Sequence, residues 1–236
     1  MSLSPHWPSS ANLLASVQEK IDIGLHVDFT SEFATQSGQG ASLGWLMLKS
    51  VSHALDKVQI ERCLHQQLDL FEKHLGAQPD HLDGHQHVHQ FPVIRDALIK
   101  VLKQRYKADE MPWLRISRVP RTQMNLKGAV INGMGANALC KLAIQHHISH
   151  SNYLTGIYDF SGNAEAYTSL LADCIERSPE RTVLMCHPGL PGDSHSPYAA
   201  ARIWEQQVLQ GEPFEALLNR LQVGLVRGSQ TLQASP

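Results

Sequence analysis

The sequence predicts an α/β fold with a mainly parallel sheet, on three observations. Short apolar or alternating runs, roughly four to seven residues long, recur between amphipathic patterns of helical length, the order expected of βα units. Hydrophobic residues make up 42% of the chain and charged residues 18%, which excludes bulk disorder and a coiled coil. Polar and histidine residues stand repeatedly where a strand pattern ends, at His26, Asp83 to His89, Arg115 and His187. In parallel α/β folds the carboxyl ends of strands gather on one face, where sites are built.

The first element is a short helix expected between Ser10 and Lys20. In Ile21–Phe29 every odd position is apolar and the even ones are Asp22, Gly24, His26 and Asp28, the period of a strand with one packed face. Residues 31–44, rich in Ser, Gln and Gly, read as a loop. Ile60, Leu64, Leu68, Phe71 and Leu75 recur at helical spacing before Gly76, so a helix runs from Val58 to Leu75. A strand over Pro79–Asp83 leads into His85-Gln-His-Val-His89, and Pro92 opens a helix with Ile94, Ala97, Leu98, Val101 and Leu102 on one side. Trp113–Ile116 reads as a strand, Ala136–His147 as a helix, Ile157–Phe160 as extended chain and Glu165–Arg177 as a helix. Thr182–Cys186 is expected as a buried strand, Tyr198–Leu209 and Phe214–Leu221 as helices, Val223–Val226 as a last strand, and the tail from Gly228 as frayed. No internal repeat or linker divides the 236 residues, so a single domain over 1–236 is expected.

Net charge is -2 with histidine neutral, which supplies no electrostatic case for nucleic acid or an anionic membrane. No apolar stretch approaches the ~18 residues of a membrane span, and the first residues lack a basic, apolar leader. Four cysteines, Cys63, Cys140, Cys174 and Cys186, form no Cys-x-x-Cys pair. They are expected as buried free thiols of a reducing, cytoplasmic compartment.

Histidine, at 14 residues, is the unusual component. Asp83, His85, His87 and His89 would share one side of an extended chain, whereas in a helical turn only His85 and His89 face together. Imidazoles so grouped suit zinc, manganese, iron or nickel; a hydrogen-bonded surface cluster is the alternative. His26, on the polar face of its strand, reads by itself more readily as a structural histidine than as a site residue, whereas His187, before Pro188-Gly189, reads equally as an acid/base or a turn residue. His146, His147 and His150 read as surface residues, and His6, His53, His65, His74 and His195 carry no supporting pattern. Gly38, Gly40 and Gly44 lack dinucleotide-loop spacing, and neither a phosphate loop nor a nucleophile elbow occurs. Arg115, Arg118 and Arg121 could hold an anionic or hydroxylated substrate or form a solvated edge.

Ile23-Gly-Leu-His-Val-Asp-Phe-Thr30, His81-Leu-Asp-Gly-His-Gln-His-Val-His89 with Pro92, and Cys186-His-Pro-Gly189 resemble, in order and spacing, the YdjC-like carbohydrate deacetylase family. That family includes chitooligosaccharide and hopanoid-biosynthesis deacetylases. Leu114-Arg115, Val119-Pro-Arg-Thr122 and Ala201-Arg-x-x-Glu205 add to the likeness, which spans roughly residues 5–230. The resemblance, with the order of the motifs, implies a distorted or incomplete (β/α) TIM-like barrel. It implies one divalent ion, magnesium or zinc, and removal of acetyl from an N-acetylated sugar or oligosaccharide. By family pattern His26 and His85 are the metal ligands and His187 the acid for the departing amine. Asp83 is a second catalytic or substrate-facing residue, and Arg115, His87 and His89 bind substrate.

The family opens with a strand ending Asn-Ala-Asp-Asp-Phe-Gly, and no Asp-Asp pair occurs in this sequence. The chain is therefore expected to lack the family's first strand and helix, and to be a very poor or inactive deacetylase. The alternatives are a metal- or sugar-binding remnant without turnover, or another metal-dependent hydrolase such as a phosphoesterase. The sequence does not fix the oligomeric state, a homo-oligomer being one option.

Overall fold

The computed structural model describes residues 1–192 and 198–232. His195 lies outside them. The chain divides into two compact units. The first comprises Met1–Arg118, Val130–Asn152 and the segment from Arg227; the second comprises Val119–Ala129 and Tyr153–Val226.

In the first unit β1 (Leu25–Val27), β2 (His81–Gly84) and β3 (Trp113–Leu114) form a parallel sheet in the order β1-β2-β3. Parallel neighbours need a long crossover, which the helices Lys57–Leu75 and Ile94–Arg105 supply. Leu114 also bridges His150 in the parallel sense. The alternation read around β1 is visible in its burial. Ile23, Leu25, Val27 and Phe29 are buried while His26 is half-buried.

The helix Lys57–Leu75 starts where the Asp56 carboxylate accepts from Val58 and Gln59 N–H, and stops at Gly76, whose φ is 76°. Its buried stripe is Ile60, Cys63, Leu64, Leu68, Phe71 and Leu75, interrupted by Gln67. Gln67 is fully buried. Its Oε1 accepts the Asp28 N–H at 2.9 Å and its Nε2 donates to the Asp28 carbonyl at 2.8 Å. One side-chain amide thus satisfies both backbone groups just beyond β1, as a neighbouring strand would.

The second unit has β4 (Tyr153–Thr155) parallel to β5 (Thr182–Leu184). The helices Ala164–Arg177, Ala199–Gln210 and Glu212–Leu221 accompany them, around Tyr167, Leu171, Val208 and Leu217. The fold class is therefore α/β, with two small, unclosed parallel sheets consistent with an incomplete barrel.

Several boundaries differ from the sequence reading. The first helix is Trp7–Ala15, opened by Pro8, since proline is well placed in a first turn. The loop 31–44 contains the helix Glu32–Gln36 and the start of Leu43–Val51, capped by Ser31 and Ser42. Extended chain expected at 157–160 lies at Tyr153–Thr155 instead. Gly156 ends it with φ +83°, and a Cβ there would stand 2.3 Å from the Met185 carbonyl oxygen. The β5 strand is half-buried rather than buried. Val223–Val226 forms no strand, and Leu225 and Val226 are exposed. The tail is not frayed through residue 232: Arg227 pairs with Asp22 at 2.8 Å, and Ser229 Oγ donates to the same carboxylate at 2.6 Å. Cys63, Cys140 and Cys174 are buried free thiols, and Cys186 is a free exposed one.

Gly24 owes its identity to His81. A Cβ at residue 24 would lie 2.2 Å from His81 Nε2, and that ring is stacked on Trp113 at 4.5 Å. Gly24→Ala is expected to lower stability by about 1–3 kcal/mol through overpacking. Urea unfolding followed by circular dichroism checks it.

Candidate functional site

Parallel register assembles the site. His26 lies opposite Asp83 across β1 and β2, and Arg115, next after β3, donates its backbone N–H to the Leu82 carbonyl. Two side chains from the neighbouring strand ends, His26 and Arg115, therefore meet on the Asp83 carboxylate. Asp83 Oδ1 faces His26 Nδ1 at 2.5 Å, and Oδ2 faces Arg115 Nη1 at 3.2 Å. Arg115 Nη2 also donates to the Gly84 carbonyl at 3.2 Å. Burial alone would raise the Asp83 pKa, but Arg115 and His26 outweigh it and hold the carboxyl well below its ordinary value. His26, its side chain 32% exposed, has Nε2 as the ring nitrogen not turned to Asp83. The His85 ring stands edge-on to it, centroids 5.7 Å apart.

The segment after β2 is neither the extended run nor the helical turn considered above. Residues His85–Gln90 form a 3-10 turn in which Gln86 and His87 are left-handed, with φ of 50° and 63°. Two successive non-glycine residues in that region are strained, a condition that persists only where surroundings enforce it. The consequence is that the three histidines diverge. His85 faces His26. His87 Nδ1 lies 3.0 Å from Ser117 Oγ. His89 turns fully inward, and its Nε2–H donates to the Arg115 carbonyl at 2.8 Å. Gly84 makes room for that ring, since a Cβ there would stand 2.8 Å from His89 Nδ1. Arg115 and His89, expected to contact substrate, are thus both buried and support Asp83 and the Arg115 backbone.

Burial, then the Arg115 charge, pushes the His89 pKa down to about 3, and the same two causes place His87 well below its usual value. An imidazole that is neutral when folded but titrates near 6.5 when unfolded gives stability that is complete above pH 6.5. That stability is lost as pH falls towards 3, because the unfolded chain binds the extra proton. His89 is expected to remove up to about 1.4 kcal/mol of stability per pH unit below 6.5. Urea midpoints of wild type and His89→Gln between pH 7 and 4.5 should converge with acidification; parallel curves would contradict this.

Asp28, buried beside the site, is taken up by its own turn. Its Oδ1 accepts from Thr30 N–H at 3.1 Å and Ser31 N–H at 3.0 Å, and its Oδ2 accepts from Ser31 Oγ. Arg118 donates to the Asn152 carbonyl at 3.0 Å and Arg121 is exposed, so of the three arginines Arg115 is the one on Asp83. His146 meets Lys103 at the surface.

His187 belongs to the second unit. Its backbone N–H donates to Glu205, and its ring meets Phe160 edge-on at 5.3 Å. Sequence reasoning gave no role to Gln67, Ser117 or Glu205. For Gln67 a signal existed: a polar residue at a position of the apolar helical stripe.

Residues 1–220 match the sequence profile of the family described as YdjC-like protein. The chain belongs to that family. A carbohydrate deacetylase from Xenopus laevis is 28% identical to this YdjC-like chain over 252 residues, covering 87% of the chain and 80% of that protein. Among the described residues of the YdjC-like chain, no three His, Cys, Asp or Glu side chains are grouped to hold a metal ion. No described helix is long and apolar enough to cross a membrane. The donors present nevertheless suit a divalent ion in part. His26 and His85 are adjacent imidazoles, and a carboxylate on the far nitrogen of His26 is how metal-binding histidines are ordinarily oriented.

Proposed function

We propose that this chain is a metal-dependent hydrolase that removes an acetyl group from an N-acetylated sugar, with His26 and His85 as metal ligands. The observation that carries the reading is the His26–Asp83–Arg115 chain at adjacent strand ends, with the His85 ring against His26. Family membership and the likeness to a carbohydrate deacetylase supply the substrate class. A bound divalent ion would act there as a Lewis acid on the acetamide carbonyl and lower the pKa of water.

The protein's own part is positional and protonic. Asp83 holds the His26 Nδ1 proton, so that Nε2 is presented as a ligand. Arg115 keeps Asp83 ionised at any ordinary pH, and His89 fixes the Arg115 backbone. His87, its Nδ1 against the buried Ser117 hydroxyl, is the proposed substrate-binding residue of the cluster, and His187 is the proposed acid for the departing amine.

A second reading, binding with little or no turnover, is favoured by the carboxylates. Asp28 is engaged by its turn, and Asp83, held at low pKa, is a weak proton acceptor. The test is acetate release from a short N-acetylglucosamine oligomer with zinc, cobalt or magnesium added. Release, however slow, that needs the metal and stops with a chelator belongs to the first reading. A chain that holds metal and sugar but releases no acetate belongs to the second reading, and one that holds neither overturns both.

A further inference from the structure

We propose that Arg202 and Glu205 are positioning residues, a clamp that fixes His187 through both of its backbone polar groups. Their importance for reaction rests on the role proposed for His187; the clamp itself does not. The two stand three residues apart on the helix Ala199–Gln210, a spacing that puts them on one helical face. Glu205 accepts the His187 N–H. Arg202 Nε donates to the His187 carbonyl at 3.4 Å, and the Arg202 carbonyl accepts the Gly189 N–H at 2.9 Å. A Cβ at Gly189 would lie 2.9 Å from Arg202 Nε, so glycine is what lets the loop lie against the arginine. One helix thereby holds three polar backbone groups of His187-Pro-Gly189.

Glu205 is not a surface carboxylate borrowed for the purpose. It is fully buried. Its Oε1 accepts from Tyr158 Oη at 2.7 Å and its Oε2 from Tyr167 Oη at 3.4 Å. Buried charge is stable only when its lone pairs are met, and here two phenols and one peptide N–H meet them. Burial, and then the Glu205 charge, pushes both phenols above their ordinary pKa, so both remain donors across the physiological range. The ring of His187 is held on the other side by Phe160. The Phe160 ring is tilted against those of Tyr158, at 4.7 Å, and Tyr198, at 4.4 Å. The side chain of His187 is thus directed by its peptide groups, which Glu205 and Arg202 hold directly, and by an aromatic wall that is tied to Glu205 through Tyr158.

The experiment uses the full chain labelled with nitrogen-15. The His187 ring and backbone amide signals, assigned with His187→Gln, are compared in Glu205→Ala, Glu205→Gln and Arg202→Ala. Alanine at either position should shift or broaden both signals while far-ultraviolet circular dichroism stays that of the folded chain. Glu205→Gln should keep them, because its amide oxygen still accepts from His187 and its NH₂ donates to a phenol oxygen. In the acetate assay, Glu205→Ala should lower kcat about 10²-fold, the scale of an ångström-level misplacement, with KM within about twofold and recovery in Glu205→Gln. His187 signals unmoved by both alanine variants, or moved as far by Glu205→Gln as by Glu205→Ala, overturn the clamp. If Glu205→Ala does not fold, Arg202→Ala and Glu205→Gln still decide it. A wild-type chain without deacetylase turnover defeats the proposed function instead, and leaves the spectra to judge the clamp.

Discussion

Arg115→Met should destabilise the chain by about 3–5 kcal/mol, the usual result of removing one partner from a buried charge pair. Arg115 is 6% exposed and touches both Asp83 and the Gly84 carbonyl. Methionine fills most of the volume but leaves the carboxylate with His26 alone. Asp83 must then keep a poorly compensated charge or take up a proton. The present pKa lies well below the ordinary 3.8, so the pair contributes stability above pH 4 that is lost only as pH falls through the folded value. In Arg115→Met that loss should move to higher pH. Asp83→Asn in the same chain should recover part of the stability, because an amide carries no charge to strand. Urea unfolding of the two single variants and the double variant gives the coupling directly. An Arg115→Met chain within about 1 kcal/mol of wild type would mean that the pair is solvated and the site open.

The second large effect concerns metal. Purified wild-type chain is expected to bind about one divalent ion, and the His26→Ala/His85→Ala variant to bind none at the same concentration. Asp83→Asn should weaken binding about 10–100-fold without abolishing it, since the residue orienting a ligand matters less than the ligand. Metal content and titration calorimetry separate these outcomes. Stoichiometric metal retained by the double variant refutes the assignment. Loss of metal in His87→Ala/His89→Ala, with His26→Ala/His85→Ala unaffected, would place the ion within the cluster but on other residues. Because His89 is buried against Arg115, that variant is checked for folding first.

What the sequence determined by itself was whatever repeats along the chain. Alternation through Ile23, Leu25, Val27 and Phe29 marked β1 because a strand side chain's surroundings depend on parity alone. The stripe from Ile60 to Leu75, closed by Gly76, marked its helix within one residue, because helical spacing and a left-handed cap are local. The ordered motifs Gly24-Leu-His26, Asp83-Gly-His85-Gln-His87 and His187-Pro-Gly189 were enough for the family.

Only the tertiary structure decided how those residues face one another. No local rule forces Gln86 and His87 into the left-handed region; that conformation depends on the packing of His89 under Arg115 and of the chain over Gly84. Val223–Val226 had the composition of a strand, but a strand also needs a partner, and none pairs with it among the described residues. Gln67 interrupts an apolar stripe, and its partner, 39 residues earlier at Asp28, is set by the tertiary fold alone. His26 and Asp83, 57 residues apart, meet because β1 and β2 pair in one register. A shift of one residue would turn each side chain to the opposite face. Hydrogen bonds between distant segments depend on register and backbone direction, and neither is written in the order of residues within one segment.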